Sequence, residues 1–252
     1  MAGIRCWGVR KVFASRRGLK TVLEGVDIEV ESGEFVAILG PSGCGKTTLL
    51  NIISGLDRHY DGQVVFTDTL HGAHPVIGYA FQEPRLLPWM TVRQNIHFAV
   101  EAMPSPKVGA RVRSWLERVG LADYYDYYPN QLSIGMQQRV ALARALILDP
   151  EVLLLDEPFS SLDEITAMKI REEVLELWRE LQSTVVLVTH NPIEAVYLAD
   201  RVLIMAANPG RIVGQLDISS RLPRPRDPED RRLWELSREA VRLLSCHLSV
   251  KG

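Results

Sequence analysis

The stretch Gly40–Thr48 (GPSGCGKTT) constrains the fold of this chain more than any other segment. Its spacing matches the phosphate-binding pattern G-x-x-x-x-G-K-[ST]. An apolar run at 35–39 precedes it and a helix-like segment at 49–55 follows it, which predicts a buried strand, a glycine loop and a helix. Glycines let backbone N–H groups turn toward phosphate oxygens, and the helix directs its positive end at the same anion. The stretch therefore predicts a nucleoside triphosphate site.

The side chains of this loop indicate how each would meet the nucleotide. Lys46 is expected on the β- and γ-phosphates as a point charge, and the Thr47 hydroxyl is expected to bind Mg²⁺. Cys44 either is open to alkylation or only fills a variable position of the pattern. The loop residues expected at the nucleotide are Gly40, Pro41, Ser42, Gly43, Cys44, Gly45, Lys46, Thr47 and Thr48.

Composition narrows the class of protein. With 252 residues, 46% of them hydrophobic, the chain can bury a large core. Its net charge of −2 gives no general attraction to nucleic acid or anionic lipid. No apolar run is long enough to span a membrane and the N-terminus lacks a signal-peptide pattern, so we expect a cytosolic protein. Cys6, Cys44 and Cys246 are odd in number and far apart, which argues against disulfides and a zinc site.

The N-terminal region has the pattern of an antiparallel sheet. Residues 3–13 and 22–30 alternate apolar and polar side chains, which predicts strands with one solvent-exposed face. A further short strand is predicted at 61–66. Phe13, near the end of the first run, either stacks on the adenine ring of the nucleotide or belongs to the core.

Polar side chains stand where later apolar strands end. These strands are predicted at 76–81, 152–157, 184–189 and 201–205. Ligands of open α/β sheets bind at the carboxyl ends of the strands, where Gln82, Asp156, Glu157 and His190 are placed. Asp156 suits Mg²⁺, and Glu157 suits the water that attacks the γ-phosphate, as general base or orienting group. His190 is placed to touch the γ-phosphate.

Between residues 91 and 148 the strand pattern is absent. Helices are predicted there at 91–103, 107–119 and 134–148. Pro104 and Pro106 would separate the first two helices. Ser133 is a good N-cap for the third, and together with Gly135 it forms either a second anion site or only a capped helix end. This helical insertion is predicted to be a subdomain of the α/β core.

The remaining segments contain fewer candidate functional residues. Residues 160–163 form a polar turn that caps a helix at 164–181. The apolar positions expected to cover a sheet face are Ile165, Met168, Val174, Leu175, Leu177 and Trp178. Residues 221–232 are Pro-rich and of mixed charge, which predicts a solvated linker before a last amphipathic helix at 228–246.

The ordered set of motifs resembles the ATP-binding subunits of ABC transporters over nearly the whole chain. The matching parts are Walker A at 40–48, the Q-loop glutamine Gln82, a signature stretch at 132–136, Walker B at 152–157, a D-loop at 160–163 and the switch histidine His190. The resemblance implies ATP as the nucleotide and ATP hydrolysis coupled to transport. It implies an α/β fold: a P-loop NTPase core with a mostly parallel sheet, an N-terminal antiparallel β subdomain and an inserted α-helical subdomain.

The resemblance also implies boundaries for these parts. The whole chain, 1–252, is expected to be one ABC-type nucleotide-binding domain. Residues 88–149 would be its inserted helical subdomain, and residues 221–252 a Pro/Arg-rich linker with a C-terminal helix.

The family implies partners as well. Two copies are expected to pair head to tail, with the Walker residues and His190 of one facing Ser133 and Gly135 of the other across ATP. Asp163 of the D-loop is counted with these nucleotide-binding residues. Gln82 would link the metal and the attacking water to a transmembrane permease subunit, whose cytoplasmic helix would dock beside 83–89. A solute-binding protein would act indirectly, nucleic acid is not expected, and the chain would lie at the cytoplasmic face of the membrane.

The signature departs from the usual Leu-Ser-Gly-Gly-Gln of the family. Here it reads Leu132–Met136 (LSIGM), which keeps Ser133 and Gly135 but has Ile134 in place of the first glycine. Because isoleucine disfavours positive φ, the helix start is expected to be regular there. Slower turnover is conceivable, and loss of activity is not implied while Glu157 is present.

Residues 84–89, Met136 and residues 221–226 resemble importers for nitrate, taurine, aliphatic sulfonates and related small solutes. The principal hypothesis is the ATPase subunit of such an importer. The alternatives are a soluble ATPase of the same superfamily, which usually has a coiled-coil insertion or tandem cassettes, and a regulatory module that binds ATP without turnover. Glu157 speaks against the last, because such modules tend to lose that carboxylate.

Overall fold

The structure is a computed structural model, and it describes residues 2–15, 18–70, 74–101, 108–160 and 162–248. Its strands are β1 (Gly3–Ser15), β2 (Gly18–Val30), β3 (Phe35–Leu39), β4 (Asp61–Thr67), β5 (Ile77–Ala80), β6 (Val152–Asp156), β7 (Thr184–Thr189), β8 (Arg201–Ala206) and β9 (Arg211–Asp217). Its α-helices are α1 (Lys46–Ile53), α2 (Val92–Ala99), α3 (Val108–Arg118), α4 (Ile134–Leu146), α5 (Glu164–Leu181), α6 (Pro192–Leu198) and α7 (Arg231–Leu248). The predicted breaks at Pro104 and Pro106, and Ser161 of the polar turn, lie outside the described residues.

The chain divides into two compact units. The first comprises residues 1–74 and 184–252, and the second comprises residues 75–183. The first unit therefore holds the glycine loop and His190. The second holds β5, which ends two residues before Gln82, and β6, which ends at Asp156.

The N-terminal strands of the first unit form the predicted antiparallel sheet. Its order is β2-β1-β4, with Ile4 paired to Val30 on one side and to Phe66 on the other. Along β2 the exposed positions alternate with buried ones, Val26, Ile28 and Val30. Because side chains of a strand point alternately to its two faces, this alternation gives one buried and one solvated face.

The parallel strands of the first unit are buried throughout. β3 pairs in parallel with β7 and β8, and β9 is antiparallel to β8. Every residue of β3 and of β7 is buried, as expected for a parallel strand covered on both faces. Strand β9 and the short helix α6 were not predicted from the sequence. The start of α6 carried a usable signal, because Asn191 is a good N-cap and Pro192 favours the first helical position.

The second unit combines a parallel strand pair with helices. β5 and β6 pair from Ile77–Val152 to Ala80–Leu155. α2 begins with a capping box, in which Thr91 and Gln94 satisfy each other's backbone N–H groups. α5 spans the predicted residues, and the Asp163 side chain caps it by accepting a hydrogen bond from the Thr166 N–H at 3.0 Å.

Two of the apolar positions predicted for the buried face of α5 were wrong. Ile165 is 72% exposed and Met168 is 40% exposed. The buried stripe instead follows Ala167, Ile170, Val174 and Leu177, at the spacing of one helix face. Ile165 and Met168 lie roughly 100–160° around the helix from Ala167, so their hydrophobicity did not indicate burial.

The segment 221–232 is not the solvated linker that its composition predicted. Leu222 is buried, and Arg226 is only 7% exposed. Arg226 donates hydrogen bonds to backbone carbonyls, and Arg224 forms an ion pair with Asp200. Proline and mixed charge are typical of exposed chain, but these two guanidinium groups find acceptors inside the fold.

Within the part of the chain that the structure describes, no helix is both long enough and apolar enough to cross a bilayer.

Two glycines of the second unit give a stability test. A Cβ at Gly78 of β5 would lie 2.5 Å from the Ala145 carbonyl oxygen, whereas a Cβ at Gly109 of α3 would meet nothing within 4 Å. We expect Gly78→Ala to lower the free energy of unfolding by about 2 kcal/mol through overpacking. We expect Gly109→Ala to leave it unchanged or to raise it by up to about 1 kcal/mol, because alanine favours the helix. Urea unfolding measures both, and equal effects would contradict the close approach at Gly78.

Candidate functional site

The phosphate loop has the predicted strand–loop–helix architecture. It connects the buried strand β3 to α1, with Gly43 and Gly45 at φ values of 76° and 106°. Side chains rarely tolerate these angles, and a Cβ at Gly45 would also lie 2.6 Å from a Leu23 methyl carbon. The backbone therefore turns through the loop only with glycine at these positions, as a concave N–H cradle requires.

The lysine of the loop is folded over it. The Lys46 ammonium donates hydrogen bonds to the carbonyl oxygens of Gly40 at 2.9 Å and Pro41 at 3.1 Å, and the residue is only 4% exposed. This places a positive charge within the loop, next to the N-terminus of α1. Thr47 lies exposed in the first turn of that helix. Cation, helix end and hydroxyl are thus gathered at one place suited to a polyphosphate.

His190 lies at the same edge of the sheet as the loop. Leu39, the last residue of β3, is paired with Thr189, the last residue of β7. The Gly40 N–H donates to the Thr189 carbonyl oxygen at 3.3 Å. His190 follows directly and is exposed. The structure therefore brings His190 beside the start of the phosphate loop.

In the second unit, three predicted residues meet at one strand edge. Because Ala80 is paired with Leu155 in a parallel register, the chain leaves β5 and β6 on the same side. Gln82 is exposed there, and Asp156 is only 2% exposed. Glu157 is partly exposed and follows directly. The edge carries one amide and two carboxylates, as the sequence predicted.

Sequence reasoning missed Tyr79, which supports Asp156. Burial raises the pKa of the Tyr79 hydroxyl, and the negative charge and hydrogen bonding of Asp156 raise it further against the opposing charge of Arg85. The phenol therefore stays protonated and donates to the Asp156 carboxylate. Its ring stacks on Phe81 with centroids 4.0 Å apart. A tyrosine in the apolar run before Gln82 was the available signal.

Glu157 has an unusual backbone conformation. Its φ is 44°, in the left-handed region that residues with a Cβ rarely adopt, and such angles cost roughly 1–3 kcal/mol. The turn is held from the other side, because the Ser160 N–H and hydroxyl both bind the Glu157 carbonyl oxygen, at 3.2 and 2.9 Å. Strained residues of this kind concentrate at functional sites.

The signature stretch starts a regular helix. The Ser133 hydroxyl accepts from the Met136 N–H at 3.3 Å, and Ile134 begins α4 without positive φ, as expected. A Cβ at Gly135 would lie 3.3 Å from a methyl carbon of Leu162. The start of α4 therefore packs on the turn before α5, near Asp163. The Thr166 backbone hydrogen bond lowers the pKa of Asp163, which is ionised at neutral pH.

Phe13 is not a core residue. It is 44% exposed on β1, and the Lys11 ammonium lies 4.8 Å from the centroid of its ring. Lys11 is itself tied to Asp57 at 2.7 Å. The structure therefore contradicts the core alternative, and adenine stacking stays a prediction.

No cluster of three or more His, Cys, Asp or Glu side chains suited to a metal ion is found among residues 2–15, 18–70, 74–101, 108–160 and 162–248.

The fold and these motifs define a class of protein. The sequence profile of the ABC transporter family matches residues 23–160, more than half of the chain. The chain belongs to this family of ATP-binding proteins. The predicted family and fold class are confirmed, and so is the prediction of an ATPase subunit.

Particular relatives come from one branch of the family. An aliphatic sulfonates import ATP-binding protein, SsuB 1 of Xanthomonas axonopodis pv. citri (strain 306), is 47% identical over 86% of each chain. SsuB 1 of Pseudomonas savastanoi pv. phaseolicola is 45% identical over 92% of each chain. SsuB of Bacillus cereus is 41% identical over 92% of each chain.

Solved structures agree with this placement. The ATP-binding cassette MJ0796, in a dimeric post-hydrolysis state bound to ADP and Pi, is similar with a TM-score of 0.75 and 32% identity. That match covers 85% of this chain and 98% of the other. A second, dimeric structure of MJ0796, described as a bacterial ABC transporter cassette, has a TM-score of 0.76 at the same identity and coverage.

The three cysteines provide a test of the loop's packing. None forms a disulfide; Cys44 is 1% exposed, Cys6 is equally buried, and Cys246 is exposed. Burial, reinforced by the charge of Asp27, raises the pKa of the Cys6 thiol to about 12. Because the thiolate is the reactive form and needs access, we expect iodoacetamide at pH 8 to label Cys246 at least about tenfold faster than Cys6 or Cys44.

Peptide mass spectrometry measures this labelling, with urea-unfolded protein as the control in which all three thiols react. Labelling of Cys44 as fast as that of Cys246 in the folded protein would contradict the buried position found here and support the alkylatable alternative.

Proposed function

We propose that this chain is the ATP-hydrolysing subunit of a membrane importer for aliphatic sulfonates or related small solutes such as taurine or nitrate. The supporting observation is its 41–47% identity, over 86–92% of the chain, to proteins named aliphatic sulfonates import ATP-binding protein. In such a system the solute would be selected by a binding protein and the membrane subunit. This chain would supply the free energy of ATP hydrolysis.

ATP would bind along the phosphate loop. Backbone N–H groups of the loop after Pro41 and the N-terminal end of α1 would hold the phosphates. Lys46 would exchange its bonds to loop carbonyls for bonds to the β- and γ-phosphates. The exposed ring of Phe13 would stack on adenine. The Lys11 ammonium lies beside the Phe13 ring and gives that ring polar surroundings.

The residues present fit Mg²⁺ bound together with ATP. The Thr47 hydroxyl, the Asp156 carboxylate and the Gln82 amide oxygen are hard oxygen donors, and the Tyr79 hydrogen bond orients Asp156. Mg²⁺ in phosphoryl-transfer sites keeps water and substrate oxygens as ligands, so a cage of protein groups is not required. When bound, the ion would neutralise charge on the phosphates.

The proposed hydrolysis depends on Glu157, Lys46 and His190. The Glu157 carboxylate would orient the attacking water and accept its proton as the water oxygen bonds to the γ-phosphorus. The bond between that phosphorus and the β,γ-bridging oxygen breaks, giving ADP and inorganic phosphate. Lys46 and His190 would stabilise the negative charge on the non-bridging oxygens of the γ-phosphate.

A second copy of the chain would complete the site. Ser133, Gly135 and Asp163 lie together at the starts of α4 and α5, where helix ends favour an anion. We infer that Ser133 and Gly135 face the γ-phosphate held by the partner copy in a head-to-tail dimer, with Asp163 close to the same nucleotide. The dimeric state named for MJ0796 supports this arrangement. ATP would then bring the two copies together, and hydrolysis would let them separate.

The remaining partners follow from the same proposal. Residues 1–252 would act as one nucleotide-binding domain at the cytoplasmic face of the membrane. We infer that 88–149 is its helical subdomain and that a permease helix docks beside 83–89, where Trp89 is 69% exposed. A solute-binding protein would act through the permease. Residues 221–252 would form the C-terminal segment and helix of the domain.

Replacing the proposed base tests the chemistry. We expect Glu157→Gln to cut the ATPase rate by roughly 10²–10⁴-fold, because the amide cannot accept the water proton. ATP affinity should change less than about twofold, because the loop is intact. With ATP and Mg²⁺ the variant should form a dimer that light scattering detects. Glu180→Gln, at an exposed carboxylate paired with Arg118, is the matched control and should keep the parent rate. Hydrolysis by Glu157→Gln at the parent rate would remove Glu157 from the mechanism.

Co-expression with the polytopic membrane protein encoded by an adjacent gene tests the transport role. We expect the chain to co-purify with that polytopic protein in detergent, and cells lacking the chain to lose most uptake of one labelled sulfonate, taurine or nitrate. Restoring the parent chain should restore uptake, whereas Glu157→Gln should not. A pool that stays with nucleic acid and leaves uptake unchanged would favour the soluble-ATPase alternative.

A further inference from the structure

Two arginines of the segment 221–226 donate hydrogen bonds to carbonyl oxygens of helix α6. One terminal guanidinium nitrogen of Arg226 shares its two hydrogens among the carbonyl oxygens of Val196 at 2.8 Å, Tyr197 at 3.0 Å and Ala199 at 2.6 Å. Its Nε donates to the Leu222 carbonyl oxygen at 2.8 Å, which holds the segment in a turn. The acceptors on α6 belong to the end of that helix, where carbonyls have no partner within the helix.

Arg224 binds the same helix end and connects it to β3. Its guanidinium donates to the Leu198 carbonyl oxygen and to the Asp200 carboxylate. The other Asp200 oxygen accepts the Phe35 N–H at 3.1 Å, at the start of the strand that leads into the phosphate loop. The segment therefore fixes the C-terminal end of α6 to the same strand that carries the loop.

The opposite end of α6 adjoins His190. The Asn191 side chain caps the helix, accepting from the N–H groups of Ile193 and Glu194 at 3.0 and 3.3 Å. The Thr189 hydroxyl accepts the Asn191 N–H at 3.0 Å and donates to the buried Glu194 carboxylate. Thr189 also receives the Gly40 N–H through its carbonyl oxygen. Both neighbours of His190 in the chain are thus fixed by α6.

A helix as short as α6 depends on bonds at its ends. It has seven residues, well below the length at which an isolated helix is stable in water. Asn191 and Glu194 hold one end, and Arg224 and Arg226 hold the other. A shift of the C-terminal end would therefore move the Asn191 cap and the backbone on which His190 stands.

Burial makes the charged form of Arg226 less favourable than it would be in water. Burial, together with the neighbouring Arg224 charge, lowers its pKa to about 10 against the opposing charges of Asp200 and Tyr197. It is still protonated at neutral pH, where a cation at a helix C-terminus is favourable. An apolar side chain would avoid the desolvation but would leave the buried carbonyls of α6 without donors.

We propose that Arg226, assisted by Arg224, is a positioning residue for His190, acting through α6 to hold the imidazole at the phosphate loop. This inference rests on the proposed function, in which His190 contacts the γ-phosphate. The hydrogen bonds of Arg226 go to backbone carbonyl oxygens at the C-terminal end of α6 and at Leu222.

The test is a double-mutant cycle on the full chain with Mg²⁺ and ATP. Arg226→Gln should lower kcat about tenfold and leave KM for ATP within about twofold, because the loop is intact and the geometry of the reacting group is lost. In a His190→Ala background the same substitution should lower kcat by less than about twofold further, because the group it positions is gone. Arg226→Lys, which keeps the charge and at least one donor, should recover part of the loss.

Arg221→Gln is the matched control, because Arg221 lies in the same segment but forms an exposed pair with Glu239. It should keep the parent kcat. Thermal unfolding of each variant identifies any that do not fold, and Arg226→Lys and Arg224→Gln then replace Arg226→Gln in the cycle.

Equal losses of kcat in the parent and His190→Ala backgrounds would overturn the proposal, since a general structural defect acts in both. No loss in the parent would overturn it as well. If His190→Ala alone keeps the parent kcat, the positioning role is overturned together with the role of His190, whereas Glu157→Gln still decides whether the chain hydrolyses ATP as proposed.

Discussion

The parallel pairing of β3 with β7 is the constraint on which the first unit's site depends. Because Leu39 and Thr189 are paired, the glycine loop and His190 leave the sheet side by side. The hydrogen bond from the Gly40 N–H to the Thr189 carbonyl oxygen extends this pairing by one residue into the loop. A register slip by one residue would turn the side chains of either strand to the opposite face and separate the two groups. Burial of both strands on both faces makes such a slip costly.

The proposed nucleotide site relies largely on main chain. The glycines at positive φ, the end of α1 and the capped starts of α4 and α5 would provide N–H groups to the phosphates. This explains how Ile134 can replace a glycine in the signature. The helix start needs ordinary φ at that position, and Ser133 still caps it. Backbone donors keep their place when a neighbouring side chain changes, provided that the new residue tolerates the local angles.

Sequence patterns predicted the fold class and the placement of most strands and helices. Those features depend on local periodicity, glycine geometry and motif spacing, which a single sequence contains. The misassigned parts depend on tertiary contacts. Ile165 and Met168 are hydrophobic but lie off the buried stripe of α5, and the segment around Arg226 has the composition of a linker but supplies donors to buried carbonyls. Tyr79 was missed because its hydrogen bond to Asp156 joins two strands that are far apart in the chain.

The left-handed angle of Glu157 has an evolutionary consequence. Any residue with a Cβ is strained at that position, and glycine would relieve the strain. The folded state therefore carries a standing penalty at the one carboxylate proposed to act on water. A lineage released from the need to turn over ATP would gain stability by substituting glycine there. A glutamate at this position therefore runs against the thermodynamic preference of the fold, and natural selection for hydrolysis would be the force that keeps it there.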